Sequence, residues 1–226
     1  MKYNYSLMGK KSALVRWDKV HSKVRLCNKI SKEKVAIIAY LSGDGYIKFR
    51  QKGFHYEIVF FMDDLTVAKR IVGLFLKEYH VSPKIRRIPT TVKKGKGYYR
   101  VEIKNKVACL DLLSFGKYGK LEWNFPSKIS DSMKKEWIKC FFDCEAHVHK
   151  NRPQIQVKSV NSKGLRAIGD HLIRLNINNK VYGPYDNGLN HNPYFMLSIY
   201  RAEDILKYNK LIGFYHKEKQ IVLQSF

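Results

Sequence analysis

From residue 34 onward the chain runs through a string of elements, and from residue 136 it runs through the same string again. An apolar helical stretch ending in an acid opens each copy, Lys34 to Asp44 and Glu136 to Glu145. Two short alternating segments follow: Tyr46–Gln51 and His55–Met62 in the first copy, His147–Lys150 and Gln154–Val160 in the second. Polar pairs that can cap exposed helical amides come next, Asp63-Asp64 and Asn161-Ser162. They open helices whose apolar residues recur at helical spacing: Leu65, Ala68, Val72 and Phe75, then Leu165, Ile168 and Leu172. Two more strands follow in each copy. Lys84–Ile88 and Tyr98–Lys104 flank Lys93-Lys94-Gly95-Lys96-Gly97, and Lys180–Tyr185 and Tyr194–Tyr200 flank Asp186-Asn187-Gly188. A last helix closes each copy, from about Val107 and from about Ala202. The expected fold class is therefore α+β, with two pseudo-symmetric αββαββα repeats at 31–114 and 131–226. Residues 115–130, rich in Gly, Lys and aromatics and containing Pro126, read as a linker. Residues 1–30 carry eight Lys or Arg and read as a basic extension.

The charge balance narrows the partners. Lys and Arg number 43 against 19 Asp and Glu, a formal +24, and a polyanion is the usual reason to keep such self-repulsion. The four Cys, at 27, 109, 140 and 144, have no secreted disulfide spacing and no signal peptide precedes them. The longest apolar runs, such as Val35 to Leu41, are core-sized and too short for a membrane helix. The expected setting is intracellular and reducing, in the cytoplasm or nucleoid or in an organelle, away from membranes.

The two acid-ending helices carry a recognisable motif. Ile37-Ile38-Ala39-Tyr40-Leu41-Ser42-Gly43-Asp44-Gly45 resembles the nine-residue LAGLIDADG signature, and Ile138-Lys139-Cys140-Phe141-Phe142-Asp143-Cys144-Glu145-Ala146 resembles a degenerate second copy. Helices approach closely only where their contact positions are small. Ala39 and Gly43 in one copy, and Cys140 and Cys144 in the other, are small and four residues apart, so each pair shares one helix face. Ile37, Leu41, Ile138 and Phe142 are left to face their own cores. Ala146 stands where the first copy has Gly45, so the second helix must end without glycine's freedom of φ. Close packing would then bring Asp44 and Glu145 together, and two carboxylates at one point call for a hard cation such as Mg²⁺.

The chain thus resembles the LAGLIDADG homing endonucleases of the single-chain, two-motif, intron-encoded type, over residues 31 to 226. The resemblance implies two repeats, each with a curved four-stranded antiparallel sheet, packed through the motif helices. It implies a monomer that binds a long asymmetric double-stranded DNA site and hydrolyses one phosphodiester in each strand across the minor groove. About two or three Mg²⁺ ions would be shared by Asp44 and Glu145, with Gly43 and Cys144 beside them as metal-site positions. A basic residue is expected near each scissile phosphate. Lys104 matches that place in the first half; the corresponding Tyr200 does not, leaving Lys158 or Arg201 for the second. Asp64 and Asn161 are the expected water-orienting groups.

Strand alternation supplies the DNA-facing surface. Tyr46, Lys48 and Arg50 alternate with Ile47 and Phe49; Arg100, Glu102 and Lys104 alternate with Val101 and Ile103; Gln154, Gln156 and Lys158 alternate with Ile155 and Val157. His55, Glu57, Lys84, Arg86, His147, His149 and Arg201 join them as candidate DNA contacts, although Lys84, Arg86 and Arg87 do not alternate cleanly. Strands of about eight to ten residues would give two sheets spanning ~60 Å, or roughly eighteen base pairs. Cys140, Cys144, His147 and His149 could instead gather a Zn²⁺ ion, but the cysteines fall on the helix seam, where size is what matters. Two other functions are open to the same fold: an RNA maturase acting on its own intron, alone or alongside cleavage, and a DNA-binding regulator that does not cut. An intein is disfavoured, because the chain has neither the splicing nucleophile nor the terminal His-Asn.

Overall fold

A computed structural model describes residues 12, 15, 29–50, 55–90, 97–119, 121–186, 188 and 192–226, with the side chain of Arg50 excepted. Most of the basic extension, the Arg50 side chain and nearly all of the 93–97 loop lie outside the described residues.

The first unit runs α1 (Lys32–Ser42), β1 (Gly45–Arg50), β2 (His55–Met62), α2 (Leu65–Tyr79), β3 (Lys84–Ile88), β4 (Tyr98–Ile103) and α3 (Lys106–Ser114). The second runs α4 (Asp131–Glu145), β5 (Ala146–Val148), β6 (Ile155–Ser159), α5 (Ser162–Arg174), β7 (Lys180–Tyr185), β8 (Tyr194–Ile199) and α6 (Ala202–Leu211). Each unit is αββαββα with one four-stranded antiparallel sheet, ordered β1-β2-β4-β3 and β5-β6-β8-β7. One further helix, α7 (Lys217–Gln224), follows the second unit and was not anticipated; the described residues hold no counterpart in the first.

Capping explains where helices begin. Asp64 accepts from the amides of Thr66 and Val67 at 2.7 and 3.0 Å, and Asn161 accepts from that of Gly164 at 2.9 Å. Helix α4 starts at Asp131, a turn and more before Glu136, because Ser130 caps it.

Helices α1 and α4 pack against each other along the expected small-residue seam. A Cβ added to Gly43 would lie 2.5 Å from the Cβ of Cys144 and 3.0 Å from its sulfur, so glycine is required there by space. Ala39, Cys140, Ile37, Leu41, Ile138 and Phe142 are all buried. The thiols of Cys140 and Cys144 are pushed up by burial and stay neutral, as small apolar groups in a tight seam should. The seam also carries polar bonds. Asp143 accepts from the Tyr40 hydroxyl across it at 3.0 Å, and from the amides of Tyr215 and His216 at 2.9 Å each.

The glycine expectation needs correcting. Neither helix leaves through a positive φ: Ala146 is extended at φ −81°, ψ 140°, and Gly45 is absent from the left-handed region. What Gly45 supplies is room, since a Cβ there would sit 2.9 Å from the Leu41 Cα and from the Phe60 ring. Ala146 is therefore no obstacle to the pose of Glu145.

The connecting segment is packed rather than free. Trp123 is buried, its ring centroid 4.6 Å from that of Phe141 and 5.8 Å from that of Trp137, and its carbonyl accepts from Asn161 Nδ2 at 2.6 Å. A Cβ on Gly164 would strike the Trp123 ring at 2.3 Å.

Candidate functional site

The site forms where α1 and α4 end. Asp44 and Glu145 line one open cleft of about 740 Å³ together with Ser42, Gly43, Tyr46, Lys158, Tyr118, Trp123 and Tyr194. Both acids open onto it because the Gly43–Cys144 contact holds the two helix ends side by side.

Pairing register decides which cations reach them. Ala146 pairs with Val157, so Glu145 stands level with Lys158, which lies in the cleft. In the first unit Gly45 pairs with Phe60, and the Phe61 amide donates to the Asp44 carbonyl at 3.0 Å. Phe61 thus occupies the place that Lys158 holds in the second unit. Across β2, Phe61 is opposite Arg100, whereas Lys104 lies four residues further along, about 13 Å away at ~3.3 Å per residue. The structure does not bring Lys104 to the acids. It pairs with Glu102 at 3.1 Å and lines a separate hollow with Lys48, His55, Glu57 and Lys106.

Asp64 and Asn161 sit beside the motif ends as helix caps, and both ends of the Asn161 amide are already engaged. Groups that sequence reasoning missed come from α7 and from His216, which caps it. His216 Nε2 lies 3.2 Å from Asp63 Oδ1, and its Nδ1 lies 3.8 Å from Asp64 Oδ2. The Lys219 ammonium donates to the Asp143 carbonyl at 2.5 Å and to those of Phe142 and Cys144 at 3.4 Å, capping the negative end of α4. Desolvation raises the Asp44 carboxyl above its usual range, partly offset by Lys219, while Asp63 adds to the rise and the Cys144 thiol opposes it. Asp63 itself is held below the carboxylate range by its hydrogen bond from His216. No local sequence signal could pair Asp63 with a histidine so far along the chain.

The remaining candidates lie on the outer sheet faces. Lys48 pairs with Glu57, and Lys84 and Arg86 pair with Glu102 and Arg100, which resolves the third strand: Arg87 pairs with Tyr99 and shares the other face. Arg100 is 3.2 Å from Glu57 and 3.4 Å from Glu102. His55 is exposed beyond Lys48, in the row of Arg50. In the second unit His147 pairs with Gln156; His149 contacts Gln156 at 3.0 Å, and Gln154 donates to Ser198 at 3.0 Å. Exposed Arg201 precedes α6 and lies 3.7 Å from Glu203. The strands are shorter than eight to ten residues: β1 and β4 have six, and only β2 reaches eight. Two sheets of about six-residue strands span ~40 Å, or roughly twelve base pairs.

Asp44 and Glu145 fit a hard divalent cation in chemistry, being two carboxylates, one of them raised by desolvation, that open onto one cleft. The zinc arrangement is not formed. Cys140 and Cys144 are in the seam, His147 and His149 meet edge to face with ring centroids 4.6 Å apart, and no group of three or more His, Cys, Asp or Glu able to hold a metal exists among the described residues.

Residues 132–213 match the model of the LAGLIDADG-like domain. The second unit is a LAGLIDADG-like domain. The same fold extends over both units in solved structures. I-DmoI in complex with DNA and Ca superposes at a TM-score of 0.60 with 15% identity, over 86% of this chain and 98% of that one. The complex of I-DmoI with DNA and Mn gives 0.58 and 17%, over 81% and 97%. Full-length DUF199/WhiA from Thermatoga maritima gives 0.54 and 16%, over 91% and 66%. At such identities the likeness is one of LAGLIDADG fold. No curated protein matches the chain in sequence. No helix among the described residues is long and apolar enough to cross a membrane.

Proposed function

We propose that the protein is a site-specific, Mg²⁺-dependent DNA endonuclease that acts as a monomer on one asymmetric duplex. The observation that carries this reading is the convergence of Asp44 and Glu145 with Lys158 in one cleft, at the junction of two basic sheets. A purely structural seam has no use for two acids at its open end. The DNA in the I-DmoI complexes supports a duplex as substrate. When bound, Mg²⁺ supplies an activated water and charge neutralisation at a phosphodiester. The chain's own residues do the rest. Asp44 and Glu145 hold the cation, Lys158 neutralises the phosphate of one strand, and Lys48, Arg86, Arg100 and the second sheet's Gln154 and Gln156 fix register on the duplex. Asp64 and Asn161 serve as the caps that fix the strand-to-helix turns of the two units rather than as water-orienting groups. The protein acts within a reducing compartment, and its own intron RNA is a further candidate partner.

The halves are unequal, because Phe61 stands where Lys158 stands in the other unit. That observation favours a second reading, DNA binding with cleavage of one strand or of none. Supercoiled plasmid carrying the DNA that flanks the reading frame separates the two. With Mg²⁺ the expected course is closed to nicked to linear, with nicked circles accumulating first. Closed circles that persist while the protein stays bound would establish the non-cleaving reading instead. Binding in Ca²⁺ should weaken with salt at a log–log slope near −9, for about ten phosphates. A slope shallower than about −3, or two chains per duplex by sedimentation, would overturn the monomeric saddle.

A further inference from the structure

The outer face of the first sheet carries a row of rings that the proposed cleavage reaction does not use. Tyr46, Phe61 and Tyr98 are each 37% exposed on three adjacent strands. Tyr46 and Phe61 stack with centroids 6.0 Å apart, and Phe61 meets Tyr98 edge-on at 5.5 Å. All three belong to the face shared by Lys48, Arg86 and Arg100, and the carboxylates on that face, Glu57 and Glu102, are engaged by Arg100 and Lys104. Tyr46 also lines the cleft that holds Asp44 and Glu145, so the row runs into it.

We propose that Tyr46, Phe61 and Tyr98 form a stacking platform for unpaired bases of a DNA strand. A closed duplex offers a sheet base edges, phosphates and isolated thymine methyls, which call for Arg, Lys, Gln and Asn with a single apolar group here and there rather than a continuous row of rings. Rings in a row match the π-faces of bases, which are available only where a strand is unpaired or unstacked. The flanking cations supply the backbone contacts that such a strand needs, on a chain of net +24. Register sets the two sheets apart at the centre of the row: Phe61 stands in the position of Lys158 and Arg100 in that of Met196, so the second sheet keeps the pair Tyr185 and Tyr194, 5.3 Å apart, but has the Lys158 ammonium beside Tyr194 where the first has its middle ring. The second unit therefore holds a phosphate where the first stacks a base. The platform needs no catalysis by the acids, so it stands or falls separately from the endonuclease reading.

The test compares two labelled duplexes in Ca²⁺, one fully paired and one with a central run of unpaired thymines. The unpaired duplex should bind at least about tenfold tighter. Phe61→Leu and Tyr98→Leu, which keep apolar bulk but remove the ring face, should each lose about tenfold on the unpaired duplex and leave the paired one unchanged. Phe61→Trp should restore the preference. Leucine variants that weaken both duplexes equally would show a structural role and overturn the proposal, as would wild-type protein with no preference. 2-Aminopurine placed in the unpaired run should lose fluorescence on binding wild-type protein; a probe that stays bright would refute stacking whatever the variants do. Ring dependence seen with an RNA strand and absent with DNA would overturn the assignment to DNA.

Discussion

Asp44→Asn and Glu145→Gln should each abolish linearisation of a plasmid carrying the site, slowing double-strand cleavage about a thousandfold or more, because each removes a charge from the cation site at nearly constant volume. Binding in Ca²⁺ should survive both changes, since neither touches the phosphate contacts proposed for the sheets. Asp44→Asn has a second signature that cleavage cannot mimic. The folded protein raises the Asp44 carboxyl above its unfolded value. Its protonated form is thus favoured by folding, and the stability it contributes is fully present below the ordinary carboxylate range and lost as pH rises through the raised value. The melting temperature of Asp44→Asn relative to wild type should therefore climb with pH across that window. A difference flat in pH would mean that Asp44 is no more desolvated than a surface acid.

Gly43→Ala should be among the more damaging single-methyl changes in the described residues, and it falls on the helix seam itself. Its new Cβ would lie 2.5 Å from the Cβ of Cys144, so α1 and α4 must part. Overpacking of this kind costs about 1–3 kcal/mol, a fall in Tm of roughly 3–10 °C for a chain this size. Both strand cuts should fail together, since the acids ride on the two helices that separate. Cys144→Gly in the same chain should recover much of the loss, giving a coupling energy well above the few tenths expected of independent sites. Additive losses would place the close contact elsewhere.

How much of this was legible in the sequence depended on range. Caps and alternation are local, so Asp64 and Asn161 marked their helices, and β2, β3 and β7 fall where the sequence placed them. The seam was legible too, because small residues at i and i+4 have few other uses on an apolar helix. Register across strands is not local. Lys104 looked well placed at the end of β4, but antiparallel pairing carries that end away from Asp44, and only the Phe61–Arg100 pairing reveals it. Lys158 shows the same dependence in reverse, since the Ala146–Val157 pair puts it level with Glu145. The glycine expectation failed because sequence shows a missing side chain without showing whether conformation or crowding requires it, and at Gly45 crowding does. The role of α7 was hidden altogether, since its contacts are with residues of both motif units.

That last helix also sets a timetable. Asp63 leaves the ribosome 153 residues before His216, its partner, and α4 is complete long before Lys219 can cap it. At about 5–20 residues per second the gap is on the order of ten seconds or more, during which the first unit can fold but the site between the units cannot be finished. The residues that follow the matched domain, from 214 onward, therefore complete the acid pair's surroundings only after both motif helices have been made. A growing chain thus carries both four-stranded sheets before it carries a finished centre between them.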